Sequence, residues 1–240
     1  MRILITNDDS ISASQLLPLI QWWQKLGEVT TVVPKFEQSG KSHGIELHKP
    51  FEAMEVELAP GVTAWTVDST PADCVRFAIL GKKWEFDLVV SGVNKGFNVG
   101  LDIMYSGTVS AVCEAVALGV PAIALSTSAE DYDTALASMD QVWAFFQKHQ
   151  LMARSNLYNV NMPANPKGIR ITRQGGPFYT DDFPHIGNNM YSPTGRCIHD
   201  NQQDLEIDTD AVVCGYISVM PMVIRRHDLP LYEQLKTLSE

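Results

Sequence analysis

The sequence predicts an α/β fold with a mainly parallel sheet, because strand-like and helical segments alternate along it. A short apolar segment at residues 3–5 is followed by an amphipathic helical pattern at residues 12–26 and a second apolar segment at residues 29–33. Strand, helix and strand within about thirty residues form a βαβ unit, whose crossover connection makes the two strands parallel. The alternation continues to about residue 170.

Residues that favour helix ends delimit the helical segments. In the first, apolar residues recur at three- and four-residue spacing until Gly27 ends the pattern. Thr70 and Pro71 predict the N-cap and first position of a second helix, which Gly81 ends. The remaining expected elements are a hairpin or extra strand at residues 51–67, strands at 86–91, 121–126, 156–160, 169–172 and 211–220, and helices at 109–118, 133–148 and 231–238.

Composition argues against several classes of function. Lys and Arg number 18 against 28 Asp and Glu, a formal net charge of −10, which disfavours a nucleic-acid duplex as partner because phosphate contacts need clustered basic residues. No apolar stretch approaches the roughly 18 residues that would span a bilayer, and we expect no membrane association and no secretory signal. The four cysteines lack paired spacing, which favours a reducing, cytoplasmic location.

From residue 174 to residue 204, Gly, Pro, Asn and Asp dominate and no periodicity is present. A segment of this length without secondary structure is uncommon inside a compact domain. It is therefore expected to be a β-rich excursion, an active-site flap or an arm that packs on a neighbouring subunit. We predict a single domain over residues 1–240, with a core at about 1–172 and the excursion and carboxyl-terminal arm at about 173–240.

Polar residues follow the carboxyl ends of three predicted strands. Asp8 and Asp9 follow the first, Ser39 lies in the loop after the second, and Asn94 follows the strand at residues 86–91. Because ligands of parallel α/β sheets bind at this edge, these side chains are expected to lie together. Adjacent carboxylates repel each other, and a divalent cation such as Mg²⁺ is the simplest compensation. For each residue alone, a turn or capping role is the alternative.

The segment Ser106-Gly107-Thr108 opens the predicted helix at residues 109–118 on the same edge of the sheet. A helix N-terminus carries unpaired N–H groups and a partial positive charge, which suit a phosphate group. A hydroxyl that only caps the helix is the alternative. The loop from Gly40 to Ser42 offers further donors to an anion. A hard cation that faces an anion-binding helix end is what metal-assisted phosphoester hydrolysis requires.

Several short motifs occur in order along nearly the whole chain. They are Asn7-Asp-Asp9, Gln38-Ser-Gly40, Thr70-Pro-Ala-Asp-Cys74, Ser91-Gly-Val-Asn94, Asn98-Val-Gly100, Tyr105-Ser-Gly-Thr-Val109 and Asn159-Val-Asn-Met-Pro163. Together they resemble the motifs of the SurE family of nucleotidases. The resemblance implies a Rossmann-like three-layer fold with a β-hairpin excursion, and a carboxyl-terminal arm exchanged between the subunits of a homodimer or homotetramer.

The resemblance also implies an activity and a site. It implies a phosphomonoesterase that binds one divalent cation per subunit, Mg²⁺ or Mn²⁺, and hydrolyses nucleoside 5′- and 3′-monophosphates with a metal-bound water as nucleophile. Asp8 and Asp9 would be the catalytic residues and would hold the metal together with Ser39 and Asn94. The substrate phosphate would be contacted by Gly40, Asn98, Ser106, Gly107 and Thr108.

One other mechanism and one other class of function are compatible with these residues. Asp8 could be the nucleophile and form a phosphoenzyme, as in phosphatases of the haloacid-dehalogenase type. The first motif of those enzymes is Asp-x-Asp, however, whereas this chain has Asn7-Asp8-Asp9. The second alternative is a non-catalytic nucleotide-binding or regulatory protein that uses the site only to sense its ligand.

The sequence departs from the family pattern at two places. Ser10 stands where the family usually has Gly after the two Asp residues. If this position requires a positive φ, Ser10 is strained by about 1 kcal/mol. The segment after Pro221 also fits the pattern poorly, so family residues expected there are not assigned to His227 or Asp228.

Overall fold

A nine-stranded, mostly parallel sheet forms the centre of the fold in the computed structural model, which describes residues 1–238. The strands, in chain order, are β1 (Arg2–Thr6), β2 (Glu28–Pro34), β3 (Ala53–Ala59), β4 (Val62–Val67), β5 (Leu88–Lys95), β6 (Ala122–Thr127), β7 (Leu157–Met162), β8 (Ile169–Ile171), β9 (Tyr179–Asp182), β10 (His185–Gly187), β11 (Met190–Tyr191), β12 (Thr194–Cys197) and β13 (Ile217–Pro221). The sheet order is β3-β4-β2-β1-β5-β6-β7-β13-β8. Only β3 with β4 and β13 with β7 pair in antiparallel fashion within this sheet.

Helices cover both faces of the sheet. They are α1 (Leu16–Gln24), α2 (Pro71–Arg76), α3 (Gly107–Ala117), α4 (Met139–Lys148), α5 (Leu151–Arg154), α6 (Asp208–Val213) and α7 (Leu229–Leu235), with π-helical or 3₁₀ turns at Phe77–Gly81, Gly100–Tyr105, Tyr132–Ser138 and Lys236–Leu238. Side chains alternate between the faces of β1. Ile3 and Ile5 pack with residues of α1 and α4, whereas Leu4 packs with residues of α2 and α3. The predicted three-layer α/β architecture is therefore confirmed.

The register of the central strands brings their carboxyl ends to one edge of the sheet. Ile5 of β1 pairs with Thr31 of β2 and with Val90 of β5, and Thr6 pairs with Ser91. The residues that follow β1, β2 and β5 therefore lie along one edge, as predicted. None of the helices within residues 1–238 has the length and apolar character needed to cross a membrane.

Most predicted helix starts are confirmed, with two differences. Thr70 caps α2 by accepting the Asp73 N–H at 3.1 Å. The first helix, however, begins at Leu16 rather than at residue 12. The segment predicted as a helix from residue 133 begins with a 3₁₀ turn whose buried residues Tyr132, Ala135 and Ser138 are spaced three apart. That spacing matches 3₁₀ geometry rather than α-helical geometry.

The strand predicted over residues 211–220 is wrong in its first part. Residues 211–213 end α6, and β13 begins only at Ile217. Apolar, partly β-branched residues at 211–213 look strand-like, but Asp208 and Asp210 occupy the first turn of α6, where carboxylates stabilise a helix. Gly215, with φ of +83°, then turns the chain towards β13.

The segment at residues 174–204 is a β-rich excursion, one of the three predicted possibilities. It contains two small antiparallel pairs, β9 with β12 and β10 with β11. The chain then returns to the main sheet, where β13 lies between β7 and β8. One strand of the main sheet, β13, therefore comes from the part of the chain after residue 172. Beyond it, α7 buries none of its residues and exposes Leu229, Leu231, Tyr232 and Leu235.

Candidate active site

The acidic turn after β1 packs against the N-terminus of α3. Asp8 is 3% exposed, and its Oδ1 accepts a hydrogen bond from the Thr108 hydroxyl. Gly107 approaches so closely that a β-carbon there would lie 2.9 Å from Asp8 Cβ. The Asp8 carbonyl accepts the N–H of Gln38 at 2.8 Å, which ties the loop after β2 to the same turn.

Asp9 connects the turn to the end of β5. Its side chain is half-buried, and its Oδ2 accepts the backbone N–H of Lys95 at 3.0 Å. Asn94, the residue before Lys95, is also half-buried and donates through Nδ2 to the Gly96 carbonyl at 2.8 Å. The structure thus brings Asp9 beside the segment that carries Asn94, while the Asn94 amide nitrogen is engaged by its own loop.

The loop after β2 lies beside the acidic turn, and its predicted ligand Ser39 forms a hydrogen bond within the loop. Ser39 is exposed, and its hydroxyl donates to Glu37 Oε1 at 2.8 Å. Gly40 is exposed with φ of +70°, a conformation that glycine adopts readily. The structure therefore brings the loop to Asp8, through the Gln38 N–H, and directs the Ser39 hydroxyl to Glu37 within that loop.

The N-terminus of α3 combines capping with a contact to the acidic turn. Ser106 is the N-cap, and its hydroxyl accepts the Val109 N–H at 3.0 Å. The Thr108 side chain is directed to Asp8. Ser106 thus has the capping role considered for this segment. The Thr108 hydroxyl at the same helix end donates instead to the Asp8 carboxylate.

Asn98 lies in the loop after β5 and is 8% exposed. Its side-chain Nδ2 donates to Ser126 Oγ at 2.9 Å, and its backbone is held by Asn159 and Asn161 of β7. The carboxyl ends of β6 and β7 therefore support the loop that was predicted to contact the phosphate.

The acidic turn places the buried carboxylate of Asp8 next to the half-buried carboxylate of Asp9. Burial raises the pKa of Asp8, although hydrogen bonds from Thr108 act in the opposite direction. Burial, and then the charge of Asp8, raises the pKa of Asp9 to about 6. Among the residues that the structure describes, no Lys, Arg or His side chain forms an ion pair with either carboxylate.

These residues fit a hard divalent cation. Two adjacent carboxylates lie in a partly buried turn without a basic partner, and the buried amide oxygen of Asn7 has no hydrogen-bond partner. Within residues 1–238, no group of three or more His, Cys, Asp and Glu side chains could hold a metal ion. A cation here would therefore need neutral oxygens besides the two carboxylates, as Mg²⁺ accepts from hydroxyls, amides and water.

Glu37 was not predicted as part of the site. Its carboxylate accepts the Ser39 hydroxyl, and its charge raises the pKa of both Asp8 and Asp9. The signal was available, because Glu37 precedes Gln38 in a loop at the carboxyl end of a predicted strand. Asn159 and Asn161 belong to one of the motifs that resemble the family, but no sequence signal indicated their contacts with Asn98.

Ser10 does adopt the strained conformation that its place in the turn suggested. Its φ is +72°. Two hydrogen bonds stabilise the turn: Asn7 Nδ2 donates to the Ser10 carbonyl at 2.9 Å, and the Ser12 N–H donates to Ser10 Oγ at 3.2 Å. The hydroxyl thus provides an acceptor that glycine would lack, which offsets part of the strain.

We expect Ser10→Ala to lower the free energy of unfolding by about 1 kcal/mol, because it removes the acceptor of the Ser12 N–H and keeps the positive φ. Ser10→Gly should lower it less, because relief of the strain opposes loss of the hydrogen bond. Urea unfolding of both variants measures the difference, with Ser14→Ala at an exposed position as the control. Equal stability of the Ala and Gly variants would contradict this account.

The fold and the site together define the class of protein. It is an α/β protein with an acidic turn at the carboxyl edge of parallel strands, packed against the N-terminus of a buried helix. The family model described as Survival protein SurE matches residues 3–181. The chain belongs to the SurE family.

Relatives and a solved structure agree with this assignment. A 5′-nucleotidase SurE of Thermosipho melanesiensis is 36% identical over 252 residues, covering 100% of this chain and 97% of that protein. A 5′-nucleotidase SurE of Pelotomaculum thermopropionicum is 36% identical over 249 residues, covering 99% and 95%. The crystal structure of the SurE protein from Aquifex aeolicus superimposes with a TM-score of 0.74 at 27% identity, covering 99% of each chain.

Proposed function

We propose that this chain is a 5′-nucleotidase, a phosphomonoesterase that converts nucleoside 5′-monophosphates to nucleoside and phosphate. The contact of Asp8 with Gly107 and Thr108 is the observation that carries the proposal. It joins a carboxylate pair to a helix N-terminus, and so joins groups that attract a cation to groups that attract a phosphate. The name 5′-nucleotidase SurE, carried by relatives that align over the whole chain, supports the substrate class.

One divalent cation per subunit, Mg²⁺ or Mn²⁺, would be held by Asp8, Asp9, Ser39 and Asn94. When bound, the ion would offset the negative charge of the carboxylates and the phosphate and would activate a water molecule for attack. The support is the partly buried acidic turn without a basic partner. The Ser39 hydroxyl donates its hydrogen to Glu37, which leaves the lone pairs of its oxygen for the cation.

The chain's own residues would bind and orient the phosphate. Asn98 and Gly40 contribute side-chain and backbone donors, and the amide dipoles at the start of α3 favour the negative charge that develops on the phosphate oxygens. The buried Asp8 carboxylate has one oxygen bonded to the Thr108 hydroxyl. This favours Asp8 as an orienting and cation-holding group over Asp8 as the attacking nucleophile.

We extend the proposal to nucleoside 3′-monophosphates and to a homodimer or homotetramer. The residues proposed for binding would contact the phosphate and the cation rather than the ribose, which supports acceptance of a phosphate at either position. The apolar residues that α7 exposes support its role as an arm that packs on another subunit, since helices in proteins normally bury one face.

Phosphate release from AMP, GMP and 3′-AMP tests the proposed function. With Mg²⁺ or Mn²⁺ present, the purified protein should release phosphate from the 5′-monophosphates, and EDTA should lower the rate by at least about 100-fold, because the cation supplies several kcal/mol of charge stabilisation. Restoring activity with added Mn²⁺ controls for damage by the chelator.

Two outcomes of this assay would overturn parts of the proposal. Release that EDTA leaves unchanged would remove the cation from the mechanism. No release from any nucleotide, combined with retained binding of AMP, would instead identify a non-catalytic nucleotide-binding protein.

A further inference from the structure

We propose that Asn161 is a positioning residue, which holds Asn98 in the place where it contacts the substrate phosphate. The inference rests on the proposed nucleotidase function and adds a residue to its site. Asn161 lies on β7, in the interior of the sheet, and is 63 residues from Asn98 in sequence.

The side-chain amide of Asn161 pairs with the backbone of Asn98 as a neighbouring strand would. Asn161 Oδ1 accepts the Asn98 N–H at 2.8 Å, and Asn161 Nδ2 donates to the Asn98 carbonyl at 2.9 Å. Asn159 Nδ2 donates to the same carbonyl at 2.7 Å. A backbone carbonyl has two lone pairs, so both acceptor positions of Asn98 are filled by side chains of β7.

The Asn98 side chain is oriented from the adjacent strand. Its Nδ2 donates to Ser126 Oγ at 2.9 Å, and Ser126 on β6 pairs in register with Asn161 on β7. The end of β7 thus fixes the backbone of this residue, and the end of β6 fixes its side chain. Asn98 makes these contacts while lying in a loop outside any strand or helix.

The two asparagines of β7 are hard to explain as core packing alone. Every residue of β7 is buried, and Asn159 and Asn161 are both 0% exposed. Strands buried on both faces normally consist of apolar residues. Asn159 Oδ1 is moreover buried without a hydrogen-bond partner in the described structure, which is unfavourable for folding. Both side-chain amides donate a hydrogen bond to the Asn98 carbonyl, and this shared contact accounts for two asparagines in a buried strand.

Asn161→Ala should raise KM for AMP about tenfold and change kcat less than about threefold, because two hydrogen bonds to the Asn98 backbone are lost. Calorimetric titration with inorganic phosphate should show a parallel loss of affinity. Asn159→Ala removes only one of the two donors to the Asn98 carbonyl, so it should cause a smaller rise in KM. This variant tests the proposal if Asn161→Ala does not fold.

Two controls separate positioning from stability. The Asn98→Ala variant keeps the backbone groups at position 98 that Asn161 binds, but it lacks the side chain that Asn161 is proposed to position. Adding Asn161→Ala to this variant should therefore change KM less than about twofold. Ser218 on β13 is the register partner of Asn161, is buried, and bonds to Thr172 Oγ1 at 2.8 Å. Ser218→Ala should therefore lower the melting temperature while leaving KM unchanged.

The outcomes distinguish this inference from the proposed function. If the wild type hydrolyses AMP and Asn161→Ala behaves like Ser218→Ala, only the positioning role is wrong. The positioning role alone would also be wrong if Asn161→Ala raised KM equally in the wild type and in the Asn98→Ala variant. If the wild type neither hydrolyses nor binds AMP, the proposed function fails, and the positioning role fails with it.

Discussion

Asp8→Asn is expected to lower kcat for AMP by at least about 10³-fold, on the order of 4 kcal/mol, without loss of stability. Asparagine keeps an oxygen that can accept from the Thr108 hydroxyl, but it removes the charge that would hold the proposed cation. Burial raises the pKa of Asp8 in the folded protein. Ionisation of Asp8 is therefore less favourable in the folded protein than in the unfolded chain, and stability should increase as the pH falls through its folded pKa.

The measurement combines steady-state kinetics with urea unfolding at pH 7. Asp87→Asn is the matched control, because Asp87 lies at the opposite edge of the sheet, where it pairs with Arg2. It should leave kcat unchanged and lower stability slightly. An Asp8→Asn variant that loses stability together with activity would support the capping alternative for this turn. Trapping of a phosphorylated Asp8 during turnover would support the phosphoenzyme alternative.

The fold was predictable because its signals are local. Strand and helix patterns depend on side-chain spacing over a few residues, and the βαβ rule converts them to parallel strands with one shared edge. The segment at residues 211–213 shows the limit of this reasoning. Its apolar run is compatible with strand or helix, and the decision comes from the neighbouring Asp208 and Gly215.

The candidate site was predictable in its location but not in its contacts. Asp8 and Thr108 are 100 residues apart in sequence, and only the packing of α3 on the central strands of the sheet brings the Thr108 hydroxyl to the carboxylate. The orientation of Ser39 towards Glu37 depends on side-chain torsions that no sequence pattern specifies. The φ of Ser10 was a conditional expectation from a family difference, and the structure supplies its value of +72°.

Gly107→Ala is expected to lower kcat by at least about 100-fold, because displacement of a reacting group by about 1 Å can have an effect of this size. A β-carbon at position 107 would lie 2.9 Å from Asp8 Cβ, 3.0 Å from Asp8 Oδ2 and 3.1 Å from Pro71 Cγ. These contacts are shorter than packed atoms tolerate, so Asp8 or the start of α3 must move. Overpacking of this kind should also lower the free energy of unfolding by about 1–3 kcal/mol.

Gly176→Ala provides the control, since its β-carbon would have no atom within 4 Å and should change neither kcat nor stability. Kinetics with AMP and urea unfolding of both glycine variants make the comparison. The two site variants should then differ in kind: Asp8→Asn loses activity alone, because it removes charge and keeps shape, whereas Gly107→Ala loses both, because it keeps charge and disturbs shape. Full activity of Gly107→Ala would show that turnover does not depend on the close packing of α3 against Asp8.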